Sequence, residues 1–144
     1  MKYTQGELKV KKYLQRKHIK YKPQYKLIIN NRIHIFDFAL IDRKGVKAFI
    51  EYDGEQHYKP ISIFGGEKGF KERQERDREK NIFCSQNNIC LIRISYYKND
   101  INSFLNKELK DINKLSSIPI QEYNKKLPFE KRGFFDTIKD IINK

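Results

Sequence analysis

The residues best suited to take part in chemistry lie in the segment from Ile50 to His57, which reads Ile-Glu-Tyr-Asp-Gly-Glu-Gln-His. An apolar run leads directly into Glu51 and Asp53, and a glycine turn then precedes Gln56 and His57. Carboxylates near a protein core raise each other's pKa and lose hydration unless a positive charge lies between them. A divalent metal ion is a common source of that charge, so the segment predicts a metal site at the end of a strand.

A further carboxylate, Asp37, lies upstream between Phe36 and Phe38. If both segments are strands, Asp37 and Glu51 lie at neighbouring strand ends, an arrangement that holds Mg²⁺ for phosphodiester cleavage. Glu51 and Asp53 are two residues apart and project from the same face of a strand, so Asp53 is a third candidate ligand. Taken alone, Asp37 could also be a strand-end aspartate that faces solvent.

Other polar residues near this segment can take part in the chemistry. His57 is a candidate general base, phosphate contact or leaving-group partner, with a purely structural role as the alternative. Gln56 is neutral and can orient water or bond a phosphate. Asp77 and Lys80 share one helical face, but the surrounding Glu-Arg-Asp-Arg-Glu-Lys sequence is typical of a solvated salt-bridge surface. Arg93 lies among apolar residues and requires an acid or phosphate partner.

The charge balance of the chain indicates a polyanionic partner. The 144 residues carry a formal net charge of +13, which favours nucleic acid as that partner. Residues 1–26 hold nine Lys or Arg against the single acid Glu7, whereas residues 67–80 hold six basic and five acidic residues. We therefore expect the basic side chains of the first helix to follow a nucleic-acid backbone; they are Lys9, Lys11, Lys12, Arg16 and Lys17.

The order of predicted elements positions these residues around a sheet. A Thr-x-x-Glu capping box at Thr4 and Glu7 begins the first helix, which is predicted to run to about residue 18. The remaining predictions are strands at 25–29, 33–40, 46–53 and 89–95, a long loop at 54–69, and helices at 70–87 and 100–115. In the strand 33–40, the side chains of Ile33, Ile35, Asp37 and Ala39 are expected to share one face. A mixed sheet flanked by helices follows from this order.

The rest of the sequence indicates the domain organisation, the state of the cysteines and the location of the protein. Residues 1–115 are predicted to form one domain, followed by a C-terminal extension over 116–144 that is irregular at first and has a short helix at 133–142. Cys84 and Cys90 lack the partners of a zinc site and are expected to be buried free thiols. We expect no signal peptide, no membrane span and therefore a soluble, intracellular protein.

At this point the residues resemble a known group, the PD-(D/E)XK nuclease superfamily. More narrowly, the chain resembles the branch with the very-short-patch repair endonucleases, the EDxHD homing endonucleases and small phage, viral and bacterial proteins with a D-G-x-Q-H turn. The resemblance covers about residues 6–97. It depends on Phe36-Asp37-Phe38, on Ile50 to Tyr58, on Arg76-Asp77 to Lys80, on Cys84 and on Leu91-Ile92-Arg93-Ile94.

The resemblance implies an α/β, restriction-endonuclease-like fold with a central four-stranded mixed sheet flanked by helices. It identifies Asp37 as the first acidic metal ligand, Glu51 as the Glu of the Glu-x-Lys element, Asp77 as the acid of the later helix and Glu7 as the acid of the first helix. The sequence departs from the pattern at Asp53, where the element has Lys. The residues that can take over from that lysine are His57, Gln56 and Lys80.

The predicted function is a Mg²⁺- or Mn²⁺-dependent DNA endonuclease of viral, phage or bacterial type. A non-catalytic nucleic-acid-binding subunit on the same fold is the first alternative, because the Glu-x-Lys lysine is missing. An RNase or a junction resolvase is the second. No separate base-reading module is visible, so a homodimer or a protein partner is expected to supply any sequence specificity.

Overall fold

The computed structural model describes residues 2–124 of the chain. Three helices and four strands form it: α1 (Gln5–Arg16), β1 (Tyr21–Ile29), β2 (Arg32–Asp42), β3 (Gly45–Asp53), α2 (Gly66–Gln86), β4 (Cys90–Ser95) and α3 (Ile101–Glu108). The predicted helix at 133–142 lies outside the described residues, as does most of the predicted C-terminal extension. No helix within residues 2–124 is long and apolar enough to cross a membrane.

The four strands form one mixed sheet in the order β1-β2-β3-β4. The pairs β1–β2 and β2–β3 are antiparallel, whereas β3 and β4 are parallel and are connected through α2. Helices α1 and α3 pack on one face of the sheet, and α2 packs on the other. The predicted α/β fold, a four-stranded mixed sheet flanked by helices, is therefore confirmed.

Most predicted elements are present, but several boundaries differ. The capping box at the start of α1 forms, with both of its hydrogen bonds. β1 begins four residues earlier than predicted because Pro23 is tolerated on an edge strand, where no partner requires its missing N–H. α2 also begins earlier, at Gly66, after Gly65 adopts a left-handed conformation with φ of 91°. α3 ends at Glu108, well before the predicted end near residue 115.

In β2, the pattern of which side chains point to which face of the sheet reverses at Asp37. Phe38 packs in the core between the sheet and α1, whereas Phe36 packs on the α2 side against Phe49, with ring centroids 3.9 Å apart. The strand register places Gln24 opposite Asp37, and Gln24 has a positive φ of 51°. This irregular position reverses the alternation of side chains and redirects Asp37, as a β-bulge does.

The prediction that Ile33, Ile35, Asp37 and Ala39 share one face of β2 is therefore wrong. Ile33 and Ile35 are exposed, while Ala39 is fully buried in the core on the α2 side. The alternation that regular strand geometry predicts holds only within each half of β2, because the irregular position at Asp37 separates the halves.

The first residues after the predicted domain boundary pack on the sheet. Ile118 forms a β-bridge with Val46, and Ile120 is buried beside Tyr25, whose hydroxyl donates a hydrogen bond of 3.1 Å to the Ile120 carbonyl oxygen. The backbone of Tyr123 donates to the carbonyl oxygen of Lys26 at 2.8 Å. The start of the C-terminal extension thus covers the edge of the sheet near β1.

Candidate active site

Asp37 and Glu51 are held together by crossed hydrogen bonds between β2 and β3. The backbone N–H of Asp37 donates to Glu51 Oε1 at 3.2 Å, and the backbone N–H of Tyr52 donates to Asp37 Oδ2 at 2.7 Å. These bonds lie just beyond Phe38–Ile50, the last regular pair of the β2–β3 ladder. At the point where the strands separate, the backbone N–H groups therefore donate to side-chain carboxylates instead of to backbone carbonyls.

The two carboxylates are in an unfavourable electrostatic position. Only 3% of Glu51 is exposed, and burial raises its pKa, although the nearby charge of Lys80 acts in the opposite direction. Burial and the charge of Glu51 together raise the pKa of Asp37 to about 8. A pair of acids in this position binds either a proton or a cation at neutral pH.

Lys80 provides one positive charge at this pair. Its Nζ donates to Glu51 Oε1 at 3.1 Å and to the carbonyl oxygen of Ile35 at 2.6 Å, and only 8% of the residue is exposed. The expectation that Lys80 belongs to a solvated salt-bridge surface is wrong. The last turns of α2 face the sheet, and they bury Glu79, Lys80, Phe83 and Cys84.

The donor atoms that remain at this pair suit a hard divalent cation. Asp37 Oδ1 and Glu51 Oε2 accept no hydrogen bond from any residue between 2 and 124. Within that part of the chain, no group of three or more His, Cys, Asp or Glu side chains is placed to hold a metal. Mg²⁺ is commonly bound by one or two carboxylates, with water and substrate phosphate completing its shell. The pair therefore fits such an ion.

Asp53, the third predicted ligand, is engaged elsewhere. Arg93, which lies beside Glu51 in the parallel β3–β4 register, donates from Nη1 to both carboxylate oxygens of Asp53, at 3.0 and 3.3 Å. Burial raises the pKa of Asp53, and the charge of Arg93 acts against that rise. The acid partner that the sequence required for Arg93 is thus Asp53, and the participation of Asp53 in metal binding stays a prediction.

His57 is joined to Asp77 at the same end of the sheet. The His57 Nδ1 atom lies 2.7 Å from Asp77 Oδ2 and 3.7 Å from Asp53 Oδ1. The hydrogen bond to Asp77 raises the pKa of His57, with the charges of both aspartates adding to the effect. Burial would raise the pKa of Asp77, but the bond to His57 and the charge of His57 lower it overall. The structure thus places an imidazole with a raised pKa between Asp77 and Asp53, just past the end of β3.

Gln56 and Glu7 lie near this end of the sheet without joining the carboxylate pair. The carbonyl oxygen of Gln56 accepts from Arg73 Nε at 3.0 Å. Glu7 closes the capping box of α1, and its charge adds to the rise in the pKa of Asp37. Gly6 allows this approach, because a Cβ atom there would lie 2.1 Å from the ring of Tyr52.

Sequence reasoning missed Arg73, which organises the loop after β3. In addition to its bond to Gln56, it donates from Nη1 to the carbonyl oxygen of Phe64 at 2.7 Å. The loop contains two short 3₁₀ turns, Glu55–His57 and Ser62–Phe64, and Arg73 links them. One arginine among the six basic residues of 67–80 gives no signal for this role, because both acceptors are backbone atoms.

The predicted basic surface of α1 is divided between two faces. Lys9, Lys12 and Arg16 line a groove of about 310 Å³ whose other wall is the start of α3, residues 99–102. Lys11 lies on a different face, with its Nζ 4.7 Å from the centre of the Tyr3 ring. Lys17 follows α1 as its C-terminal cap.

The comparisons with known proteins find viral relatives of part of this chain. Uncharacterized protein 307L of Invertebrate iridescent virus 6 is 39% identical over 74 residues, which are 51% of this chain and 38% of that protein. Uncharacterized protein 094L of Frog virus 3 (isolate Goorha) is 40% identical over 68 residues, or 46% of this chain and 44% of that protein. The aligned regions thus span less than half the length of these relatives. No family model and no solved structure matches.

Proposed function

We propose that this protein is a metal-dependent DNA endonuclease that hydrolyses phosphodiester bonds. The observation that carries the proposal is the cluster of Asp37, Glu51 and Lys80, with Lys80 Nζ 3.1 Å from Glu51 Oε1. The Glu-x-Lys element lacks its lysine at position 53, and a lysine from α2 reaches the same glutamate instead. This contact supports the catalytic alternative over a non-catalytic binding subunit, whose main argument was the missing lysine.

In this proposal, Asp37 and Glu51 hold Mg²⁺ or Mn²⁺ through the oxygens that make no other bond. Such an ion, when bound, polarises the scissile phosphate, lowers the pKa of a water molecule and offsets charge on the leaving oxygen. Lys80 orients the Glu51 carboxylate and keeps one positive charge at the site. His57, whose pKa is raised by its bond to Asp77, would donate a proton or a hydrogen bond towards the phosphate.

The assignment of DNA as substrate is supported by charge. The chain has a net charge of +13, and the groove lined by Lys9, Lys12 and Arg16 offers three cations to a phosphate backbone. Such contacts position a nucleic acid without reading its sequence. Sequence specificity would then come from a second copy of the chain or from a protein partner.

The test is a cleavage assay on supercoiled plasmid, linear duplex, single-stranded DNA and RNA, with Mg²⁺, with Mn²⁺ and with EDTA. We expect cleavage of DNA only with a divalent ion, and a loss of roughly 10²-fold or more in Lys80→Gln, the range for a general acid or base. Lys71→Gln, which alters an exposed lysine of the same helix, is the matched control.

Three results would contradict the proposal: cleavage in EDTA, cleavage of RNA alone, or a folded Asp37→Asn variant that cuts at the wild-type rate. Circular dichroism of each variant shows whether a loss of activity reflects a loss of folding. Cleavage of RNA in this assay would distinguish an RNase from a DNA endonuclease. A four-way junction, added as a further substrate, would distinguish a junction resolvase in the same way.

A further inference from the structure

Three exposed tyrosines form a cluster beside the candidate active site. Tyr58, Tyr96 and Tyr97 are 43%, 40% and 64% exposed. Their ring centroids lie 5.5 to 5.8 Å apart in all three pairs, and each pair is tilted or edge-to-face. Aromatic rings that contact one another usually do so inside a core, so a cluster with this exposure marks an interaction surface.

The tyrosine cluster is anchored to the carboxyl ends of β3 and β4. The backbone N–H of Tyr96 donates to the carbonyl oxygen of Asp53 at 2.9 Å. The hydroxyl groups of Tyr58 and Ser95 share a hydrogen bond, and Tyr58 directly follows His57. The rings are therefore fixed relative to the edge of the sheet that carries the candidate catalytic residues.

The charges around the cluster favour a nucleic acid over an apolar peptide. Lys98 follows Tyr97, and Lys59 follows Tyr58 and forms an ion pair with Glu55; both lysines are exposed. Tyrosine faces interleaved with cations are what single-stranded nucleic acids bind, because every base has a flat face and every nucleotide a negative charge. In an intact duplex both faces of each base are covered by its neighbours, so only an unpaired base can stack on the cluster.

We propose that Tyr58, Tyr96 and Tyr97 form a stacking platform for unpaired bases of a DNA strand whose backbone runs past Asp37 and Glu51. The inference rests on the proposed nuclease function and narrows its substrate class. The protein would prefer single-stranded, flapped or looped DNA to a continuous duplex. It would show little preference for particular bases, since stacking is tolerant of sequence.

The test measures stacking without cleavage. A short DNA strand with one 2-aminopurine is titrated with protein in EDTA, and the same strand is tested as a duplex with its complement. The chain has no Trp, so at wavelengths where tyrosine does not absorb, the signal comes from the labelled base alone. We expect quenching for the single strand and much weaker quenching for the duplex.

The variants assign that signal to the tyrosine cluster. Tyr97→Ala is expected to bind the single strand about tenfold more weakly, which is the size of one lost stacking contact. Tyr97→Phe keeps the ring and is expected to bind like the wild type, because the Tyr97 hydroxyl makes no hydrogen bond within residues 2–124. Ile82→Ala removes an exposed apolar side chain from α2 and is the control for apolar area.

The outcomes separate this inference from the nuclease proposal. Single-strand quenching that Tyr97→Ala reduces supports the platform even if no variant cuts DNA. Equal binding of single strand and duplex, or full affinity in Tyr97→Ala, overturns the platform even if the protein cuts DNA. A cluster that instead drives self-association would make the oligomeric state change in Tyr97→Ala without any change in quenching, and this too would overturn it.

Discussion

Two histidines pair with carboxylates of α2 at the same distance, and their pKa values move in opposite directions. His34 Nε2 lies 2.7 Å from Glu79 Oε2, and His57 Nδ1 lies 2.7 Å from Asp77 Oδ2. Burial lowers the pKa of His34 below its ordinary value, although Glu79 acts against that effect. The hydrogen bond to Asp77 raises the pKa of His57, and the charges of Asp53 and Glu51 add to the rise, whereas Lys80 and Arg76 lower the pKa of His34. The neighbouring charges, rather than the bond itself, therefore separate the two histidines.

The two regions also differ in how their carboxylates are balanced. Glu79 is bonded to both Arg32 and His34, and these two partners balance its charge. The only other acid that either of them bonds within residues 2–124 is Glu75, which lies at the surface and bonds Arg32. Glu51 accepts a hydrogen bond from Lys80 on one oxygen. Asp37 lies beside Glu51, however, so the single charge of Lys80 is shared by two carboxylates. Both glutamates are buried, yet of the two only Glu51 lies beside a second carboxylate whose pKa is raised, to about 8. Charge balance, and not burial, distinguishes the two regions.

The strongest test of this distinction compares Glu51→Gln with Glu79→Gln. In the proposed nuclease, Glu51→Gln removes a metal ligand, and we expect cleavage to fall by roughly 10³-fold or to background. Glu79→Gln leaves His34 without its anionic partner and leaves Arg32 only Glu75, so we expect a lower free energy of unfolding. Its cleavage rate at a temperature where it is folded should match that of the wild type.

Plasmid cleavage and urea unfolding, measured on both variants, check the comparison. It fails if Glu79→Gln loses cleavage while folded, or if Glu51→Gln keeps it. A Glu51→Gln variant that is inactive but as stable as the wild type would fit a site whose charges serve function rather than folding.

The two histidines give a smaller contrast. We expect His57→Ala to lose roughly 10²-fold in cleavage, the range for a general acid or base, with little change in thermal stability. His34 is only 1% exposed, so His34→Ala leaves a cavity and removes one of the two partners of Glu79, and its melting temperature should fall. Activity of His34→Ala should return on cooling. Full cleavage by a stable His57→Ala variant would refute the chemical role, whereas a lower melting temperature with activity that returns on cooling would assign His57 a structural role.

The sequence predicted the elements well because each has local signals. The capping box at Thr4 lies where it was expected, and the turn at Asn30-Asn31 and the left-handed Asn88 after α2 likewise depend on residues within a few positions. Asp37 and Glu51 could be predicted as a pair because acids at the ends of apolar strands are costly to bury.

The role of Lys80 could not be predicted in the same way. α2 is charged around its whole circumference, so its sequence does not show which charges face the sheet. Lys80 is buried because acceptors 45 and 29 residues away, the Ile35 carbonyl and Glu51, come together only in the folded protein. The reversal of β2 at Asp37 is equally hidden, since it depends on Gln24 in the neighbouring strand.

The last contrast concerns how stability depends on pH at the candidate site. Folding raises the pKa of Asp37 from 3.8 to about 8, so between these values the folded protein binds more protons than the unfolded chain. Its contribution to stability is then fully present below pH 3.8 and is lost as pH rises through 8. In EDTA, Asp37→Asn should reduce this decline, which thermal melting from pH 4 to pH 8 measures; the raised pKa values of Glu51 and Asp53 contribute the remainder.

Asp42 provides the matched control, because its shift has the opposite sign. A hydrogen bond from Ser117 lowers the pKa of Asp42, so its contribution is lost only as pH falls below its ordinary range. Asp42→Asn should therefore leave the decline towards pH 8 unchanged. Adding Mg²⁺ at pH 8 should raise the melting temperature of the wild type and not of Asp37→Asn, because the ion binds only the ionised carboxylate. Equal pH profiles for the wild type and Asp37→Asn would mean that Asp37 is not electrostatically strained, and the contrast with the balanced Glu79 region would lose its basis.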